Sequence, residues 1–266
     1  IGYAKNELEI YYNAWRFLHN KKYHKALDIA KKYYKPQEKY YIRWGILLSA
    51  AYTDLKKYDK ALNIIKEVYP DLTKAYKYSV TSSNGLENNE KKLLNFLYYK
   101  MIYIKGWANF NLKRWDVALH NFLKHRKKDD NATLYELIGI CHYKKKDYLK
   151  AASSFKQSYE LYNKLILKHT SAYNVAANYA KLNKTEKAIK WLKIPLHYNA
   201  DKWLSDINDD KDFDKIRKDK VFKTFITNIH ENSAKYNKSY KNKSKEWNPF
   251  DNKFNSTVQD MPAELK

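Results

Sequence analysis

Small and aromatic residues recur along the chain with a period longer than a single helix. In five places an aromatic residue or a threonine is followed by two spacers, an alanine and another small or apolar residue. The five segments are residues 23–27, 58–62, 115–119, 148–152 and 185–189, with the alanine at Ala26, Ala61, Ala118, Ala151 and Ala188. A second small residue stands twelve positions before each alanine: Ala14, Ser49, Gly106, Gly139 and Ala176. Small side chains at these two places let two helices approach closely, so each period predicts a helix, a tight turn and a second helix.

The repeat alanines lie 35, 57, 33 and 37 residues apart. Three of these intervals are close to the period of about 34 residues of the tetratricopeptide repeat (TPR), and the sequence from about residue 5 to residue 226 resembles that family. The resemblance implies an all-α, right-handed superhelical solenoid of about five helix-turn-helix repeats with a helical C-terminal cap. The expected organisation is a solenoid over 1–226, with repeats near 5–36, 41–70, 98–128, 131–162 and 169–198, an insertion at 71–95 and a cap at 199–226, followed by a polar tail at 227–266.

The long interval contains an insertion between the second and third repeats. Pro70 is expected to end or kink a helix. An extra helical turn or two is expected around residues 72–78, followed by an exposed loop at residues 82–85. The insertion is either a tolerated surface feature or a projection that contacts a partner. In the tail, Trp247, Phe250 and Phe254 stand among polar residues that favour disorder, and these rings are candidates for docking on the solenoid or on a partner.

Composition agrees with long helices joined by short turns, because the 266 residues include five glycines and five prolines. The formal charge of +23 would attract acidic proteins, anionic lipid headgroups or nucleic acid, although an AT-rich genome would also enrich lysine. A single cysteine, Cys141, excludes an intrachain disulfide and a multi-cysteine metal site. No apolar run approaches the roughly 20 residues that span a bilayer. The start at Ile1, without a methionine, favours a periplasmic or cell-envelope setting over the cytoplasm.

The sequence offers no catalytic constellation, so we expect neither enzyme activity, nor a cofactor, nor a metal. The eight histidines form no HExxH motif, and no phosphate-binding glycine loop or nucleophile elbow is present. The acidic segment 206–214 has oxygens at alternate positions, but a calcium loop needs glycine at its sixth position and glutamate at its twelfth. Lys211 and Arg217 stand there instead, so these acids are interpreted as the solvated start of a helix in the cap.

The TPR resemblance places the binding surface on the first helix of each pair, which lines a concave groove. The family pattern carries over to the candidate partner-binding residues Tyr11, Trp15, Arg43, Lys100, Tyr103, Trp107, Phe110, Tyr143 and Tyr173. Such an aromatic groove suits an amphipathic helix or an extended segment of a partner protein. The alternative is that these rings pack against neighbouring repeats or the tail. A chaperone-binding carboxylate clamp is not implied, because Tyr11 and Trp15 stand where that clamp needs lysine and asparagine.

Two functions from different classes follow. The first is a non-enzymatic protein-interaction scaffold for protein partners, acidic surfaces among them, which the resemblance associates with bacterial envelope or motility assemblies. The second is a nucleic-acid-binding protein whose basic clusters at 124–128 and 144–146 contact phosphates. Base recognition by helical repeats needs polar residues at equivalent inner positions, and those positions differ from repeat to repeat here, so the scaffold is favoured. A purely structural subunit of a large complex is a third alternative.

Overall fold

The computed structural model describes residues 2–36, 38, 40–81 and 88–233, and within these ranges the chain is helical with no strand. The described residues up to 128 belong to one unit, unit 1, and those of 129–233 belong to a second, unit 2. Unit 1 contains α1 (Gly2–His19), α2 (Tyr23–Tyr33), α3 (Tyr41–Asp54), α4 (Tyr58–Thr81), α5 (Asn88–Asn111) and α6 (Trp115–Arg126). Unit 2 contains α7 (Ala132–Lys144), α8 (Tyr148–Leu161), α9 (Leu165–Lys181), α10 (Thr185–Tyr198), α11 (Ala200–Asp209), a short 3₁₀ helix (Lys211–Phe213) and α12 (Lys220–Glu231).

Consecutive helices pack in pairs, as the alanine period predicts. The pairs α1–α2, α3–α4 and α5–α6 belong to unit 1, and the pairs α7–α8 and α9–α10 belong to unit 2. The five repeat alanines are completely buried. The all-α fold class predicted from the sequence is therefore confirmed. None of the helices in the described ranges is both long and apolar enough to cross a bilayer.

The turn inside each hairpin contains one residue in the left-handed region of backbone space. These residues are Lys21, Lys56, Lys113, Lys146 and Asn183, with φ between 55° and 63°. At each turn the backbone closes in the same way: in the second repeat the N–H of Lys56 donates to the Thr53 carbonyl at 3.0 Å and the N–H of Lys57 to the Tyr52 carbonyl at 2.8 Å. This bond pair satisfies the last carbonyls of the first helix. Glycine usually occupies such a position, so lysine there is unexpected.

The two helices of a hairpin come into close contact through one of two residue combinations: a glycine facing a phenylalanine ring, or an alanine or serine facing a smaller apolar side chain. In the third repeat Gly106 faces Phe122, and a Cβ atom on this glycine would lie 2.8 Å from the ring. In the fourth repeat Gly139 faces Phe155, where the same distance would be 3.0 Å. The other three repeats have alanine or serine in place of the glycine, and Ala30, Ile65 or Leu192 in place of the phenylalanine. A glycine therefore accompanies a large ring, so that the volume between the two helices stays filled.

The insertion lengthens two helices and does not interrupt them. Pro70 lies inside α4, which continues to Thr81, and α5 already begins at Asn88. The expectation that Pro70 ends a helix is thus wrong. The added turns contribute to the core of unit 1 through Leu72, Leu93 and Leu97, which are at most 8% exposed. The loop expected at 82–85 lies outside the described residues, as do the three aromatic residues of the tail.

After the fifth repeat, α11, the 3₁₀ helix and α12 cover the apolar side of α9 and α10. Trp203, Phe213 and Phe222 are almost completely buried in the same cluster as Ala180 and Leu192 of the repeat. Residues 199–226 were expected to close the array, and this packing is how an end repeat hides its apolar surface.

Candidate functional site

The first helices of the three repeats in unit 1 line two adjoining cavities. The smaller cavity has a volume of about 240 Å³ and lies between the start of α3 and the start of α5. The larger has a volume of about 480 Å³ and extends to α1. Both are lined by Tyr40, Arg43 and Glu90. We call the two cavities together the α1/α3/α5 groove.

The floor of the groove is apolar and its rim is charged. Its apolar lining consists of Leu8, Tyr11, Ile42, Trp44, Leu93, Leu94 and Leu97. On the rim, the guanidinium of Arg43 lies 4.9 Å from the ring centre of Tyr40. The carboxylate of Glu7 accepts a hydrogen bond of 2.8 Å from Trp44 Nε1, and Glu90 is exposed. A pocket with an apolar floor and a few fixed polar groups is typical of binding sites for side chains.

Tyr11 lines the larger cavity from a deeply buried position. It is 3% exposed, and its ring packs edge-on against Trp44, with 5.2 Å between ring centres. Burial raises the pKa of its hydroxyl, and the neighbouring Trp15 side chain opposes this rise, so the hydroxyl stays protonated. The hydroxyl oxygen is itself buried, so Tyr11 is counted with the apolar lining of the cavity.

Two of the residues expected in the groove lie inside the core instead. Trp15 is completely buried, and Lys100 is 5% exposed, with its Nζ 5.4 Å from the Trp15 ring centre. Near them, burial raises the pKa of Asp54 to about 7, while the positive charge of Lys100 acts in the opposite direction. Trp15 and Lys100 thus stabilise the interior of unit 1, and they do not line either cavity.

Three further expected residues form an aromatic cluster within the third repeat. Trp107 and Phe110 stack with 5.6 Å between ring centres, and Tyr103 lies 6.1 Å from Phe122. Phe110 also contacts Trp115 at the start of α6, at 5.4 Å. The three are half-buried and line neither cavity.

In unit 2 the two expected tyrosines bind the cap. The Tyr143 hydroxyl donates to Asp212 Oδ1 and the Tyr173 hydroxyl donates to Asp210 Oδ2, each at 2.8 Å. Lys181 Nζ lies 3.1 Å from the same Asp212 oxygen, and the Asp212 side chain is 14% exposed. These carboxylates were interpreted as solvated, and that is wrong for Asp210 and Asp212, which hold the 3₁₀ helix on α7 and α9. Neither tyrosine hydroxyl is open to a partner in this arrangement.

Of the nine expected residues, the structure thus brings Tyr11 and Arg43 together at the groove. The other lining residues were not predicted; they are Glu7, Leu8, Tyr40, Ile42, Trp44, Glu90, Leu93, Leu94 and Leu97. Glu90 and Leu94 belong to a part of α5 that was taken for an insertion between repeats. The leucines at 93, 94 and 97 have helical spacing, and this signal could have identified the extended helix.

The described residues contain no group of three histidine, cysteine, aspartate or glutamate side chains that could hold a metal ion. The carboxylates of Asp210 and Asp212 accept hydrogen bonds from Tyr173 and Tyr143 and from the protein backbone.

The hairpin pairs define an α-helical repeat protein of TPR type. Two solved structures of MamA from AMB-1 have this fold, in crystal forms P212121 and C2221, with TM-scores of 0.53 and 0.52 and sequence identity of 13% in each case. The alignments cover 72% and 70% of this chain and 91% and 95% of the respective MamA chains. At this identity the likeness concerns the fold. No family model matches the sequence, and no curated protein matches it.

Proposed function

We propose that the chain is a member of the TPR family and a non-enzymatic scaffold, whose α1/α3/α5 groove binds an apolar segment of a partner protein. The observation that carries this proposal is the pair of adjoining cavities on the first-helix face of three consecutive repeats. Groove-lined helical repeats are suited to holding a peptide or helix along their length. In this proposal the protein contributes to a multi-protein assembly of the bacterial envelope or of motility, as the TPR resemblance suggests.

The lining of the groove defines the segment that would fit. Leu94, Leu97 and Ile42 would receive apolar side chains, at about 25 cal/mol for each Å² removed from water. The rim carries two carboxylates, Glu7 and Glu90, and one guanidinium, Arg43. Its negative charges outnumber its positive charge, so the groove does not select an acidic segment. The preferred ligand is an apolar helix or strand with basic or neutral flanks.

The test is affinity purification of the tagged full chain from its native organism, at low salt and at about 0.5 M salt, with nuclease in both arms. Leu94→Glu places a charge on the apolar floor and should abolish recovery of the partner. The matched control is Leu165→Glu, because Leu165 is 50% exposed on α9 and lines neither cavity. Circular dichroism melting of both variants separates loss of binding from loss of folding.

A defined set of proteins that survives high salt and nuclease, and is lost with Leu94→Glu alone, supports the proposal. Recovery of salt-labile nucleic acid alone, or equal loss with Leu165→Glu, contradicts the groove.

A further inference from the structure

The turns of the hairpins carry basic residues at fixed positions. Three positions in each repeat are considered, namely those five, four and one residues before the repeat alanine. The residues at these positions are mostly lysine or arginine. In unit 1 all of them are exposed, and together they form what we call the basic edge: Lys21, Lys22, Lys25, Lys56, Lys57, Lys60, Lys113 and Arg114. The edge is independent of the α1/α3/α5 groove, because none of its residues lines a cavity.

Two of the hairpin turns in unit 1 demonstrably adjoin. Arg114 of the third repeat lies 3.5 Å from Asp59 of the second, and both side chains are more than half exposed. The charges of successive turns therefore act on the same region of space. The acids nearest to these turns in the sequence are Asp28, Asp54, Asp59 and Asp116, so the eight basic residues of the edge outnumber them two to one.

Base composition of the genome does not explain why lysine occupies the left-handed positions. Asparagine codons are as rich in A and T as lysine codons, and asparagine adopts positive φ more readily. Asparagine stands there only in the fifth repeat, at Asn183, whereas the other four repeats have lysine. Since lysine costs conformational energy at this position, a benefit from its charge is the simplest physical reason for it.

An exposed aliphatic side chain accompanies the charges. Val117 is 43% exposed in the first turn of α6, at the position where the first two repeats of unit 1 have lysine. Unit 2 repeats this combination, since Leu149 is 57% exposed between Lys146 and Lys150. A phosphate backbone gains little from an exposed valine or leucine. A lipid interface accepts both, because its headgroups attract lysine and its acyl boundary receives the apolar side chain.

We propose that the basic edge of unit 1 docks on an anionic phospholipid surface, with Val117 entering the headgroup layer. The lysines supply attraction that falls with ionic strength. Val117 supplies an apolar contribution that does not.

The test is co-sedimentation of the full chain with vesicles of phosphatidylcholine alone, or of phosphatidylcholine with about a quarter phosphatidylserine. The variant Lys22→Gln/Lys57→Gln/Lys60→Gln removes three charges of the edge and leaves the left-handed positions untouched. The control Lys66→Gln/Lys74→Gln/Lys77→Gln removes three exposed charges of α4 in the same unit. We expect at least about tenfold weaker partitioning onto anionic vesicles for the edge variant, and less than a third of that loss for the control.

Val117→Gln should weaken vesicle binding about threefold without changing its salt dependence. Binding of a single-stranded RNA homopolymer, measured in parallel, should not respond to this substitution. The proposal is overturned if the chain fails to prefer anionic vesicles, or if the control variant loses as much binding as the edge variant. It is also overturned if RNA binds while vesicles do not, since the edge is then a nucleic-acid surface.

Discussion

Glycine at a left-handed turn position should stabilise this protein. Lys56 has φ 59°, which costs an L-residue with a side chain roughly 1–2 kcal/mol relative to the right-handed region. Glycine avoids this cost but loses roughly 0.5–1 kcal/mol through the greater freedom of its unfolded chain. The net expectation for Lys56→Gly is a gain of about 0.5–1 kcal/mol in the free energy of unfolding.

Two comparison variants isolate the backbone contribution. Lys56→Ala removes the same charge but keeps a Cβ at positive φ, so its free energy of unfolding should stay within about 0.5 kcal/mol of the parent. Lys66→Gly replaces an exposed lysine in the interior of α4, where glycine has no steric advantage, and should destabilise by about 0.5–1 kcal/mol.

Urea unfolding followed by circular dichroism measures all three variants, with the midpoint compared at unchanged slope. The expected order of stability is Lys56→Gly above the parent, Lys56→Ala close to it and Lys66→Gly below it. If Lys56→Gly and Lys56→Ala have equal stability, the left-handed backbone is not the origin of the effect and the reasoning is refuted.

Three further predictions follow from the packing. Gly106→Ala places a Cβ 2.8 Å from the Phe122 ring and should destabilise by about 1–3 kcal/mol, with partial rescue by Phe122→Leu in a double-mutant cycle. Tyr173→Phe removes the donor to Asp210 and should cost about 1.5–3 kcal/mol in urea unfolding, whereas an unchanged midpoint would mean that the cap does not depend on this bond. Burial lowers the pKa of His169 to about 4 from 6.5, so its contribution to stability is present above pH 6.5 and is lost as the pH falls towards 4. His169→Phe should therefore reduce the fall in Tm between about pH 7 and pH 4.5, and an identical fall in both proteins would contradict the pKa shift.

The hairpins were predictable because their signal is local and repeated. An alanine and a second small residue twelve positions earlier are required wherever two helices approach closely, and five copies of that pair locate every turn. Gly106 and Phe122 were also visible in the sequence, but the sequence does not show that the Phe122 ring faces the glycine. The packing of α5 against α6 in the structure shows it.

The groove was predictable only in part. The repeat pattern indicates which side chains point towards the concave side of a repeat, but not which of them a partner can reach. Trp15 lies on the expected helix, yet it is completely buried, with Tyr11 edge-on against its ring and Lys100 of α5 within 5.4 Å of the ring centre. Tyr173 lies on the expected helix too, but the cap returns to it from about forty residues further along the chain. A repeat pattern does not predict such non-local contacts. The extension of α5 was missed because residues 71–95 were interpreted as an insertion, whereas α5 begins at Asn88.

Binding of a partner in the α1/α3/α5 groove can be tested with a photo-crosslinking amino acid placed at position 94 of one protein variant, in the groove, and at position 165 of a second variant. After irradiation in the native organism, the groove account predicts a discrete crosslinked protein at position 94 only. The same product should disappear when Ile42→Glu is added, because a carboxylate on the apolar floor would lose its hydration when the apolar segment binds. Identical products at both positions, or none at position 94 while position 165 crosslinks, would contradict the groove as the binding site.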